Sequence, residues 1–518
     1  MEAPQPTSAK VTSCGRAFAA ILATWLSGWC IAQDAAVERP KPAFVPKITI
    51  SKETTWATEP IDENGFVDYV AVVNRWFRAG VTPENNAVVQ LYRALGPRPD
   101  GTRQPEEFFR QLGMVVPPDD GPYFSPHQAL LPNWVLTAPW TTENFPWLAD
   151  WLHSQEEPLW HIVSAAERSE YFLPLVIGPD EPMANVLQPG VLATRRLARR
   201  LIARGMWQLG GGDRFDAWRD LLAAHRMGRL LGRGPTGFVG LVGASLESEA
   251  INAELRWLAE TQPSAKQIAL LRRQLQRMPS RGSFAERFDA CERLIYLDSC
   301  IRLARRRLTF EDVVPDGPAF ENLPLSRFVE EALIQGIDWD EVLRSLNRGF
   351  DRLTISSQLP TAQERREALR RFNDELSNLS QERKQKYAWL VVLADSSTRT
   401  RFTAELLASR YFPHVQLHLR FEECVVQKMR NLEIALALAA WRSEHDSYPK
   451  TLAELAPKYL DMVPNDFFTD QPMRYTLTAD GYRFYSFGPN GADDQGRSEI
   501  DTPRGDDLAV GMPPTKPK

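Results

Sequence analysis

Cysteine is scarce, with five in 518 residues, and two of them, Cys14 and Cys30, fall within the first 32 positions. The other three, Cys291, Cys300 and Cys424, form an odd set, which excludes a scaffold held by disulfides. Cys291 and Cys300 stand nine residues apart in a segment of helical pattern, so they turn to opposite faces and should be buried free thiols. Positive charge is not in excess either: 61 Lys and Arg stand against 66 Asp and Glu, a net charge of -5. Loss of Glu2, Lys10 and Arg16 with the amino terminus leaves the chain still more acidic, so nucleic acid and anionic lipid are not expected partners. Beyond the amino terminus, no apolar run approaches the roughly 20 residues that cross a bilayer, so no transmembrane span is expected. The usual catalytic signatures are missing as well: no Gly-x-Ser-x-Gly elbow, no His-Glu-x-x-His pair, no phosphate loop and no dinucleotide fingerprint. Gly210-Gly211-Gly212 has helical flanks and no preceding strand, which makes it a turn between helices.

Lys10 and Arg16 precede an apolar run from Ala17 to Ile31 that ends near the small residue Ala32, the pattern of an export signal over 1–32. The expected mature protein is therefore exported, periplasmic or secreted, and begins near Gln33. Pro40, Pro42, Pro46 and Pro60 mark 33–60 as an extended linker. With 43% hydrophobic and 25% charged residues, the bulk of the chain has the composition of a folded protein.

An N-terminal helical region is expected over 61–190. Val67, Val70, Val73, Trp76 and Phe77 recur at helical spacing before Gly80. Thr82-Pro83 offers an N-cap and first-turn proline for a second helix that should stop before Gly96-Pro97. Trp134, Trp140, Trp147, Trp151 and Trp160 could form a sugar-stacking platform. The spacing of Trp147, Leu148, Trp151 and Leu152 favours one apolar helix face in a core. From 191 to 423 the periodicity is helical with brief breaks at Gly232-Arg233-Gly234-Pro235 and Pro279-Ser280-Arg281-Gly282. No 34-residue signature recurs, so the expectation is an irregular array of helical hairpins. Strand alternation enters only late, as Met473–Leu477 and Tyr482–Ser486 around the turn Ala479-Asp480-Gly481. The overall expectation is a mainly α protein with a small α+β module at 424–508 and a disordered tail at 509–518.

That module carries a resemblance. Ala437–Trp441, Tyr448-Pro449, Leu452, Leu455, Val463-Pro464-Asn465-Asp466-Phe467 and Tyr482–Gly491 follow one another in the order seen in the globular head of type II secretion major pseudopilins. The resemblance implies a calcium-holding loop at Ser486-Phe487-Gly488-Pro489-Asn490-Gly491, with Asn490, Asp493, Asp494, Asp501 and Asp506 as the ligand set and Asp507 adding to its acidity. Asn490 stands where that family has an aspartate, and the prepilin-peptidase site with its long apolar assembly helix is replaced by the export signal. Pilus assembly is accordingly not implied. Asp62–Val70, Gly80–Ala87 and Leu95-Gly96-Pro97, together with the helical middle and this module, resemble a group of exported proteins of planctomycete-type bacteria. This second resemblance implies location and architecture and carries no activity to any residue.

Two further constellations stand out. His414, His418 and Glu422 share a helix face, as metal ligands would, and Glu422-Glu423 could supply a general base. Packing or surface roles are favoured for both. The resulting expectation is an exported, non-enzymatic scaffold that binds a protein partner in the cell envelope. The alternative is an envelope hydrolase with its site in a cleft between helices.

Overall fold

The computed structural model describes residues 46–513 except 126–130, 179–180, 186–187, 189, 314–333, 335, 385–394 and 413–414. The signal expected at 1–32 and the last five residues lie outside the described residues.

Helix α1, Tyr69–Phe77, is followed by α2, Ala87–Leu95, but the two do not pack as a hairpin: Val72 and Val73 of α1 are buried with one set of helices and Val88 and Leu91 of α2 with another. The start of α2 is set by Asn86 rather than Thr82. The Asn86 side chain accepts from Val88 N at 3.1 Å and from Phe172 N at 3.0 Å, and returns its own amide to Phe172 O at 3.0 Å. A buried side chain that closes three such bonds outweighs a solvent-facing threonine cap, and Thr82 is left to close the preceding turn. Helices α3, Glu106–Leu112, α4, Pro146–Ser154, and α5, Glu156–Ala166, complete this part. On α4, Leu148, Ala149 and Leu152 are buried in the core. Trp151 is partly covered by the Arg200 guanidinium 5.0 Å from its ring, and Trp147 is 50% exposed. The two columns of the expected face diverge by a quarter turn, and only one points inward.

The array centres on α6, Val191–Gly210, α7, Arg214–Leu231, and α8, Gly237–Thr261, followed by α9, Ala265–Gln276. Helix α8 runs at van der Waals distance from α7: a Cβ on Gly228 would lie 2.7 Å from the backbone N of Glu247, so only glycine admits this approach. A short helix Phe284–Arg287 and a π-turn at Phe288–Glu292 lead into α10, Arg293–Ala304. Then come α11, Trp339–Ser357, α12, Ala362–Lys384, and α13, Ser396–Tyr411.

Two apolar cores result, and α14, Val415–His445, enters both. Val415 and Leu419 lie in the second core with α1, α10, α11 and α13, whereas Phe421, Val425, Leu432 and Leu436 lie in the first with α2 and α6 to α9. The stretch read as a linker belongs to the second core from Pro46 onward. Thr54 and Thr55 are buried, Tyr69 donates to Thr55 O at 2.9 Å, and the Asn347 amide donates to Glu53 O at 2.9 Å and Thr54 O at 2.8 Å. The turn over 51–56 is ordered, closed by Thr55 N and Trp56 N on Ser51 O, and its carbonyls are taken up by α11.

Past α14 and a 3-10 turn at Leu452–Leu455, strands β1, Arg474–Leu477, and β2, Tyr482–Ser486, pair antiparallel with Arg474 opposite Tyr485 and Leu477 opposite Tyr482. A third strand, β3, Leu508–Met512, pairs with β2, placing Val510 opposite Phe484. The module therefore runs beyond 508, and the segment expected to begin a disordered tail supplies Val510 and Met512 to the first core. The chain is mainly helical with this small antiparallel sheet. Among the described residues, no helix is long and apolar enough to cross a membrane.

Candidate functional site

The loop between β2 and β3 folds around carboxylates. Asp466, fully buried, accepts from Phe468 N and Thr469 N at 2.8 Å through one oxygen and from Phe487 N at 2.8 Å through the other, which fixes the exit of β2 against the turn after α14. Gly488 then takes a φ of +65°, and a Cβ there would lie 2.1 Å from Asp506 O, so the chain can turn back over Asp506 only at a glycine.

This brings Asp494, Asp506 and Asp507 together, each offering an oxygen within 4.8 Å of the others. Asn490 joins them by donating its backbone N–H to Asp506 Oδ2 at 3.0 Å and its amide to Asp494 Oδ2 at 3.1 Å. Of the five residues expected to hold calcium, the structure gathers Asn490, Asp494 and Asp506. Asp493 instead accepts from Tyr485 OH at 3.0 Å and faces Arg474 at 3.5 Å, and Asp501 caps the turn at Ser498 through Ser498 N at 2.8 Å. Asp507, expected only to add negative charge, stands in the cluster.

Asp507 is 1% exposed; its Oδ2 accepts from Gly496 N at 2.6 Å, while its Oδ1 has no hydrogen-bond partner, and the same is true of Asp506 Oδ1. Burial pushes the Asp507 carboxyl up to about 6 and raises Asp506 against the opposing pull of Arg420, whose Nη2 lies 3.0 Å from Asp506 Oδ2. Asp494 is held below the usual carboxylate range by the Asp506 N–H and then by the Asn490 amide. Two orphaned buried oxygens within an all-oxygen donor set fit a hard cation such as calcium. Two of these carboxylates, Asp506 and Asp507, form one wall of a cleft of about 310 Å³, whose opposite wall is α14 with Arg420, Cys424 and Lys428, one turn apart each, and whose floor includes Leu255, Phe421 and Val510.

The other candidates resolve into packing. Glu422 pairs with Arg287, and Glu423 lies 2.6 Å from Arg365 Nε. His418 is 5% exposed, beside Gly237 and Glu292, and His414 lies outside the described residues. Cys291 and Cys300 are buried and free.

Sequence reasoning missed a buried ionic cluster at the α7–α8 contact. Glu247 accepts from Arg281 Nε at 3.0 Å, from Arg229 Nε at 3.1 Å, and faces His225 Nε2 at 3.2 Å; His225 Nδ1 lies 3.0 Å from both oxygens of Glu254. Burial disfavours the charged ring, but Glu254 and Glu247 outweigh it and hold the His225 pKa above the usual histidine value. Glu247 is likewise held well below the glutamate range, because Arg281 and His225 overcome the cost of its burial. The available signal was the seven-residue spacing that puts Glu247 and Glu254 on one face of α8, matched by His225 and Arg229 four apart on α7. These groups satisfy one another, and the cluster ties α7 and α8 to the segment after α9.

No family model, no curated protein and no solved structure matches this chain.

Proposed function

We propose that this protein is an exported, non-enzymatic scaffold of the cell envelope, periplasmic or secreted, whose C-terminal pseudopilin-like module presents a calcium-held loop to a protein partner. The observation that carries the reading is the carboxylate cluster of Asp494, Asp506 and Asp507, built with two unpartnered buried oxygens on a module fused to the array through α14. Asn490, which presents its amide nitrogen to Asp494 and turns its Oδ1 to Ala492 N, would brace the loop. Bound calcium would supply positive charge that three close carboxylates lack, ordering the loop on a rigid base. A helical array with a second face attached by a shared helix suits macromolecular recognition, for which a broad, stiff surface counts more than a reactive group.

The test uses the chain from Gln33 onward. Calcium titration by calorimetry should give a saturable heat and raise Tm, and Asp494→Ala with Asp507→Asn should abolish both. Cross-linking in native envelopes should then trap a partner in calcium and release it in chelator. Absence of heat together with an identical Tm in calcium and chelator would overturn the calcium-held loop, and an unchanged cross-link in chelator would overturn its part in partner binding.

A further inference from the structure

The cleft beside the carboxylates has a composition of its own. Leu417 and Ile500, two large apolar side chains left 39% and 46% exposed, belong to its lining, above the apolar floor. Its charged lip sets Arg420 and Lys428, from α14, against Glu499, Asp506 and Asp507, from the loop. A divalent cation on Asp494, Asp506 and Asp507 offsets the excess of negative charge that faces Arg420 and Lys428. It also shares the charge of Asp506, the carboxylate that holds Arg420, whose side chain is already 50% exposed. The Asn252 amide, which also lines the cleft, offers a donor and an acceptor at a partly exposed position.

An apolar recess of this volume, a guanidinium and a side-chain amide on the same lining are the groups that recognise an extended peptide end: a hydrophobic last side chain, a free α-carboxylate and a peptide unit. We infer that the cleft between α14 and the β2–β3 loop captures the carboxyl terminus of a partner polypeptide ending in an apolar residue, and that calcium on Asp494, Asp506 and Asp507 switches the capture on by freeing Arg420 for the carboxylate. The inference rests on the calcium reading above and names the partner feature that reading leaves open. Linkage makes the coupling reciprocal: the peptide raises calcium affinity by the factor by which calcium raises peptide affinity.

The probe is a fluorescent hexapeptide ending in leucine, with a free carboxylate or as its amide, titrated by anisotropy against the chain from Gln33 in millimolar calcium and in chelator. The free acid should bind in calcium and lose about tenfold or more in affinity as the amide, in chelator, or with Arg420→Ala, a loss of the size of one charge-assisted hydrogen bond. Ile500→Ser, on an exposed loop side chain, should weaken the free acid and the amide by the same factor while calorimetric calcium binding persists. Equal binding of acid and amide, or equal binding in calcium and chelator while calorimetry shows calcium bound, overturns the inference and leaves the calcium reading standing. A saturable response to dodecanoate with none to either peptide overturns it in favour of an acyl ligand. No calorimetric heat for calcium overturns both.

Discussion

Glu247 shows what a single buried side chain does in this array. It is 1% exposed and answers three cationic groups from two different segments, so its loss strands charge rather than merely deleting a contact. Glu247→Ala should cost about 3–5 kcal/mol in urea unfolding, the range for breaking a buried ion pair from one side. The same cluster sets a pH dependence. His225, with its pKa raised, contributes stability that is complete below the ordinary imidazole range and lost as pH rises through its higher folded value. Glu247, with its pKa lowered, contributes stability that is complete above the ordinary glutamate range and lost as pH falls. Glu254, raised by burial and drawn down by the imidazolium, titrates together with the ring. The cluster should therefore stabilise most in weakly acidic solution, and His225→Asn should flatten the fall in Tm on the alkaline side. An unchanged alkaline slope would mean that the ring is neutral in the folded protein. None of this was legible from Glu247 in isolation, because a glutamate on a helix is ordinarily solvated and its burial depends on Arg229 and Arg281 arriving from elsewhere. The acidic loop was half legible: its composition announced carboxylates, but only the backbone turn at Gly488 decides that Asp507 converges with Asp494 while Asp493 turns to Tyr485.

The elements divide by how local their causes are. The β1–β2 hairpin carries its alternation and its turn within fourteen residues, Met473–Ser486, and forms as read. Strand β3 escaped because five residues, two of them Ala509 and Gly511, bear little strand signal and lie before a proline tract. Its place is fixed by the exposed edge of β2 and by Phe484, which Val510 covers. Ending the chain after Asp507 should thus uncover Phe484, which is fully buried, and destabilise the module, as read by faster hydrogen exchange across β2. Unchanged exchange at Phe484 would show that α14 alone protects the sheet. Helix α2 tells the same story on a smaller scale: Thr82 looked like a cap locally, and Asn86 won through Phe172, a residue far along the chain.

At the scale of the molecule, α14 makes the two cores one mechanical object. Leu436, fully buried midway along it, packs in the first core, whereas Val415 and Leu419 pack in the second. Leu436→Ala should cost about 2–5 kcal/mol. Its effect should reach amide protection in α10, in the second core, as well as in α7. Loss of protection confined to the first core would show that the two unfold separately. The helical class of the whole was plain from periodicity, but this joint was not, since one amphipathic pattern does not reveal that its two ends face different neighbours.

The bond from the Asn347 amide to Glu53 O joins residues 294 positions apart, and Thr49 N reaches Asp340 across 291. During synthesis at roughly 5–20 residues per second, the segment around Thr54 waits some 15–60 s before the helix that receives it has been made. The first core waits longer still for Leu432, Phe484 and Val510. The second core has its last residue in Leu419, whereas the first still lacks Phe484, Val510 and Met512 at that point, so α6 to α9 emerge with apolar faces that stay unsealed, and in need of shielding, until the last strand has been made.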